Sequence, residues 1–316
     1  MLDSKTFQGI DHKIQRLYIH WDITTKCNYN CNYCYAKLDY SKENNWQNES
    51  KIKDINNIIT SLRFSTLPVF LGLLGGEPTE SKNYFYILEE IQNKILPRHK
   101  DNRLYITTNL NQDITYWEKH PKIKNTFILC SFHPEYFKNL TEERIKLFIE
   151  KLEYLNKYFK VKVNIMLDPK YDNITNEWLK YLPNISKEII IHPHIIYPDG
   201  NPHNDLQKLY KTSLNKYQEI YKYMDKEYEY IINDKKEYLN DIEVFSKNLT
   251  FKNWSCYQNN YEISFNGFVS STCFPGTFSL ETNLMYFKKI KKILPKKCPH
   301  DFCNCDGLLK CQKILN

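Results

Sequence analysis

Three cysteines stand close together at Cys27, Cys31 and Cys34, in the spacing C-x3-C-x2-C. Thiolates that near one another on one loop can converge on a single metal centre. Their number narrows the chemistry. A closed zinc site or a closed cluster takes four ligands, whereas three cysteines on a four-iron cluster leave one iron open to bind something else. A zinc knuckle that borrows His12 or His20 is the structural alternative. A second chemistry-bearing run is Gly75-Gly76-Glu77-Pro78-Thr79. In a chain with 8 glycines, a double glycine marks a backbone path that a ligand can approach closely, and Glu77 adds an anionic acceptor beside it. The alternative there is a strand-to-helix turn with Thr79 as its N-cap. Six of the 10 cysteines fall near the C-terminus, at Cys256, Cys273, Cys298, Cys303, Cys305 and Cys311.

These residues need elements to position them. Short β-type runs at 17–22, 68–74, 103–108, 126–131, 161–167 and 188–196 alternate with helical stretches at 52–62, 84–95, 142–158 and 176–182. Most of the strand runs are near-continuously apolar, as strands covered on both faces would be. The pattern predicts six βα units, as a partial (β/α)6 TIM-type barrel or an open doubly wound sheet. The cysteine triplet follows the first strand and the double glycine ends the second, which is where such folds place their chemistry. On the fourth strand, period-two alternation puts Ser131 and His133 on one face and Cys130 on the other, as a buried core thiol. Asn164 and Met166 share a face on the fifth, and His192 and His194 share one on the sixth. Residues 208–230 read as a solvated amphipathic helix. Beyond residue 232 the pattern changes, and Asn266-Gly267 between runs at 261–265 and 268–272 predicts a β-hairpin. The expected division is an N-terminal extension at 1–16, the barrel at 17–232 and a small cysteine-rich module with the hairpin at 233–316.

Composition limits the partners. The net charge of +7 comes mainly from Lys, with the bidentate phosphate reader Arg scarce, so nucleic acid is not expected. No apolar run is long enough for a bilayer, and residues 1–16 lack a secretory signal pattern. A cytoplasmic, reducing location follows as the expectation, in which the cysteines serve as ligands rather than disulfides.

The cysteine triplet with aromatic Tyr33 just before its third member, followed by Gly75-Gly76-Glu77-Pro78, resembles the signature of the radical S-adenosylmethionine (radical SAM) superfamily. The resemblance covers about residues 17 to 230 and implies the partial barrel. It implies a [4Fe-4S] cluster on Cys27, Cys31 and Cys34 whose open iron chelates the amino and carboxylate groups of S-adenosyl-L-methionine. It also implies cofactor contacts at Tyr33, Gly75, Gly76, Glu77, Pro78, Thr108, Asn109, Ser131 and Asn164, with Glu77 facing the cofactor's ammonium group. His133, His192 and His194 are then the residues that could meet substrate. The tail cysteines Cys256, Cys273, Cys298, Cys303, Cys305 and Cys311 are similar to the auxiliary-cluster modules called SPASM and twitch, which implies a second iron-sulfur cluster. A zinc site is the alternative, because cysteine groups alone do not choose the metal.

The activity so implied is one-electron reductive cleavage of the sulfonium to a 5′-deoxyadenosyl radical that abstracts hydrogen from a substrate, with flavodoxin or ferredoxin as electron donor. Fold and cofactor do not fix the substrate. About sixteen residues precede the first predicted strand, too few for a leader-peptide-binding domain, which favours a small molecule over a peptide of the ribosomally synthesised, modified class. A zinc-stabilised interaction or nucleic-acid-binding module without catalysis is the alternative of a different kind.

Overall fold

The computed structural model describes residues 5–11, 13–31, 33–34, 47–137, 142–195, 227–240, 243–244, 247, 249–271, 277–298 and 311–315. Its first strand, β1 (Lys5–Gly9), is followed by alternating units: β2 (Leu17–Thr24), α1 (Ile52–Arg63), β3 (Val69–Gly75), α2 (Tyr84–Lys94), β4 (Arg103–Thr108), α3 (Ile114–Lys119), β5 (Thr126–Phe132), α4 (Glu142–Asn156), β6 (Lys160–Leu167), α5 (Asp172–Leu179) and β7 (Ile190–Ile195). Strands β2 to β7 pair in parallel, each beside the next in sequence. A doubly wound sheet reverses its strand order at a switch point, and this sheet does not. The order is therefore that of a barrel wall, and among the described residues the wall stays open.

The helices cover one face of this wall. Helix α1 buries Ile55, Ile58, Ile59 and Leu62 at helical spacing, and Phe132 of β5 meets Phe137, Phe148 and Trp178 beneath α4 and α5. The outward positions of β6, Val161, Val163, Ile165 and Leu167, are buried, while Lys162, Asn164 and Met166 on the other face are half-buried. The strands are thus not covered equally on both faces, as the apolar runs suggest. Their concave face is partly open and carries the polar residues.

The C-terminal part adds β8 (Tyr228–Ile232), β9 (Lys235–Leu239), β10 (Ser255–Cys256), β11 (Asn260–Ile263), β12 (Phe268–Ser270), β13 (Phe278–Ser279), α6 (Tyr286–Lys289), β14 (Lys296–Lys297) and β15 (Lys313–Leu315). A second sheet has the order β14-β10-β15-β1-β8-β9. The division expected at residues 16 and 232 does not follow the sheets. Residues 5–9 are an interior strand of the second sheet, paired with β15 on one side and β8 on the other. Residues 228–230, expected to end a helix, lie in β8, because Tyr228 and Tyr230 pack with Phe7 in that sheet's own core. The remainder of the expected helix, 208–226, lies outside the described residues.

The hairpin also belongs elsewhere. Strand β11 runs parallel to β2, with Asn260 opposite Tyr18, so β11, β12 and β13 extend the barrel wall. Its turn spans Ser264 to Gly267, with the Gly267 N–H donating to the Ser264 carbonyl and Gly267 at φ 80. Phe265 therefore sits in the turn rather than the strand. Among the described residues, no helix is long and apolar enough to cross a membrane.

Candidate functional site at the mouth of the barrel wall

The loops after β2 and β3 dock main chain against main chain. The Gly76 N–H donates to the Thr24 carbonyl at 2.8 Å, and the Glu77 N–H donates to the Lys26 carbonyl at 2.7 Å. A Cβ on Gly75, which lies at φ +129, would sit 2.0 Å from the Thr24 carbonyl oxygen. One on Gly76 would sit 2.1 Å from that of Lys26. The double glycine thus makes room for the protein's own backbone just before Cys27, where the sequence suggested room for a ligand.

Glu77 is likewise turned inward. At 1% exposure, its Oε1 accepts from the Thr79 N–H and hydroxyl and from the Thr108 hydroxyl, and its Oε2 accepts from the Asn109 N–H at 2.7 Å. Glu77, not Thr79, caps the turn at Pro78–Glu80. Burial pushes its carboxyl above 4.5 against those four donors. This carboxylate ties together the ends of β3 and β4. Asn109 continues the network: its side-chain amide donates to Asn28 at 2.6 Å, and Asn28 and Gln112 both donate to Glu80. Asn28, Glu80 and Gln112 escaped the sequence reading because each is an ordinary polar loop residue until the fold joins them.

The cysteine loop is held from two sides. Lys26 pairs with Glu49 at 3.1 Å, and Tyr29 stacks on Tyr136 at 3.8 Å between centroids. Cys31 is buried, Cys34 is half-buried, and Cys27 is exposed. The surrounding walls still withdraw enough water to push the Cys27 thiol up to about 12, and burial raises Cys31 as well. Metal ligation needs thiolates, so the positive charge of a bound metal must offset that cost. Among the described residues no three His, Cys, Asp or Glu side chains converge as ligands of one ion, so sharing a centre takes side-chain rotation within this loop. The donor set, three soft thiols with a fourth position left open, fits an iron-sulfur cluster.

His133 joins this loop rather than the interior of the wall. Its Nδ1 shares a hydrogen bond with the Tyr33 hydroxyl at 2.7 Å and lies 3.5 Å from the Cys31 sulfur. Desolvation and neighbouring His194 hold its imidazole down to about 4, so the ring is neutral. Ser131, Asn164 and His192 lie in one cross-strand row, with Asn164 opposite both others. The Asn164 Oδ1 is a buried acceptor without a protein donor. Below that row Lys162 pairs with Glu227, whose Oε1 is 3.8 Å from His192 Nδ1. Cys130 is fully buried on the opposite face, as alternation requires.

In the second sheet Cys256, Cys298 and Cys311 are all buried in the small core around Phe7, Phe251 and Trp254. Cys256 and Cys311 lie within hydrogen-bond reach of one another, which lowers the Cys256 thiol to about 7 and raises Cys311. The Lys313 ammonium, also buried, donates to the Cys311 carbonyl at 2.9 Å. Cys273, Cys303 and Cys305 lie outside the described residues, as does His12. His20, the other residue considered for a zinc knuckle, faces Tyr105 on the concave side of the wall.

The sequence model of the Radical SAM superfamily matches residues 21–182. The chain is 37% identical over 68 residues to an S-adenosylmethionine-dependent nucleotide dehydratase of Fibrobacter sp., covering 21% of this chain and 20% of that protein. It is 25% identical over 181 residues to the GTP 3′,8-cyclase of Haemophilus ducreyi, covering 54% and 51%. The match thus spans a fifth of the dehydratase and about half of the cyclase. Among solved structures, anSMEcpe with bound AdoMet has a TM-score of 0.52 at 15% identity, covering 81% of this chain and 74% of that one. SuiB of Streptococcus suis bound to S-adenosylmethionine has a TM-score of 0.51 at 14% identity, covering 88% and 64%. At these identities the likeness is one of fold.

Proposed function

The chain belongs to the radical SAM superfamily, and from that premise we propose that it cleaves S-adenosyl-L-methionine reductively and abstracts hydrogen from a small-molecule substrate. The observation that carries this reading is the docking of the cysteine loop onto Gly75 and Gly76 at the mouth of the six-stranded parallel wall. Cys27, Cys31 and Cys34 would hold the [4Fe-4S] cluster. When bound, the cluster would supply one electron to the cofactor's sulfonium, and the cofactor would supply the radical that takes hydrogen from an unactivated carbon.

The protein's own contribution is placement. Glu77 ties β3 to β4, Asn109 and Asn28 fix the start of the cysteine loop, and Tyr33 and His133 hold its end. Asn164, with an unpaired buried acceptor in a row with Ser131 and His192, supports a polar ligand lying along the concave face. The nucleotide dehydratase and GTP 3′,8-cyclase names of the curated relatives support a small substrate over a peptide. The buried trio Cys256, Cys298 and Cys311 supports a second iron-sulfur cluster completed by further tail cysteines. Electrons would come from a flavodoxin or ferredoxin in a reducing cytoplasm. Anaerobically reconstituted protein given dithionite and S-adenosylmethionine should release 5′-deoxyadenosine, and Cys31→Ala should abolish the release. Unchanged turnover in that variant would remove the triplet from the mechanism.

A further inference from the structure

Helix α4 buries Ile145, Phe148, Leu152 and Leu155 at helical spacing, and Lys151 lies in the same stripe at 6% exposure. A cation on an apolar helix face gives up its hydration, so native chains keep one there chiefly where a specific acceptor needs it. Here the acceptor is the Leu110 carbonyl, which receives the Lys151 Nζ at 3.1 Å. Burial holds the ammonium below the ordinary lysine range, and the charge of Asp113 offsets part of that cost.

Leu110 is itself strained. It is a buried residue at φ 56, in the left-handed region that residues other than glycine rarely adopt. Such a conformation persists where its surroundings over-determine it, and strain of this kind gathers at functional sites. Two bonds local to the turn help to fix it: the Leu110 N–H donates to the Thr108 hydroxyl, and the Asn111 N–H donates to the Asn109 Oδ1. The Lys151 bond reaches the same turn from the helix layer. With the turn fixed, the Asn109 N–H is presented to Glu77 and its side-chain amide to Asn28, at the start of the cysteine loop.

We propose that Lys151 is a positioning residue: from α4 it holds the strained turn at Leu110, and through that turn it aims Asn109 at the cysteine loop. Its importance to the reaction rests on the cluster reading above, whereas its hold on the turn does not. Removing the ammonium should loosen the turn and the start of the cysteine loop and leave the helix layer intact.

The test is amide hydrogen exchange of wild type and Lys151→Met, read segment by segment, with iron release from the reconstituted protein to a chelator followed in parallel. Loss of a charged hydrogen bond should raise exchange at residues 109–111 about tenfold, with a smaller rise at residues 28–31, while α4 and β5 keep wild-type protection. Iron release should quicken several-fold. In a Leu110→Gly background, where a left-handed turn costs little, Lys151→Met should change both rates far less. Wild-type exchange at residues 109–111 in Lys151→Met overturns the assignment, as does an equal effect in the glycine background. Protection lost across α4 and β5 as well would make Lys151 a general support of the fold and overturn it too. A rise confined to residues 109–111, with iron release unchanged, removes the link to the cysteine loop. Wild-type protein that takes up no iron would sink the cluster reading alone, because the exchange comparison still decides what Lys151 does.

Discussion

Gly76 and Lys26 are in backbone contact: a Cβ on Gly76 would fall 2.1 Å from the Lys26 carbonyl oxygen, one residue before Cys27. The two most specific sequence motifs are therefore one structural unit. Gly76→Val must displace the cysteine loop, at a cost of about 1–3 kcal/mol typical of overpacking. Iron content and S-adenosylmethionine affinity should fall together in that variant. Near-normal iron with affinity lost would show that the loop yields and that the space serves the ligand.

The buried carboxylate of Glu77 sets a pH dependence whose sign is fixed. Its folded pKa is raised above 4.5 by burial, so its favourable contribution is full below that value and is lost as pH rises through the folded pKa. Denaturant unfolding of wild type and Glu77→Gln across pH 4 to 8 should show wild-type stability falling relative to the variant as pH rises. A flat or rising difference would mean that the four donors outweigh burial. Glu77→Ala should cost about 1–3 kcal/mol, because the Thr108 hydroxyl and the Asn109 N–H lose a buried acceptor.

Asn109 reaches the cysteine loop through Asn28 at 2.6 Å, and Asn28 in turn donates to Glu80. Asn109→Ala should leave the fold intact, with a stability loss of about 1 kcal/mol. It should also speed iron release to a chelator several-fold. Wild-type release kinetics would show that Asn28 is held well enough by Glu80.

The second core predicts an iron count. A variant lacking Cys27, Cys31 and Cys34 should keep about half the parent's iron if both sites hold four-iron clusters. It should retain a reducible electron paramagnetic resonance signal that no longer responds to S-adenosylmethionine. Background iron with about one zinc per chain would make the tail a structural zinc module.

The sequence by itself determined the six parallel strands to within two residues at either end, and the helices that follow the first, second, fourth and fifth of them. Each strand is a local run of apolar β-formers, and each loop follows from where that run stops, so Cys27, Gly75, Asn109 and His133 all fell at the same end of the wall. Alternation also placed Cys130 and Ser131 on opposite faces, since period two is a property of the single strand. Only the tertiary structure decided the rest. The strand Lys5–Gly9 buries one large apolar side chain, Phe7, and gains its partners from Tyr228–Ile232 and Lys313–Leu315. Pairings at that separation leave no local periodicity to read. The roles of Gly76 and Glu77 were decided the same way. Whether a glycine admits a ligand or another backbone, and whether a carboxylate faces solvent or four internal donors, depends on which segment lies opposite, and chain neighbours do not encode that.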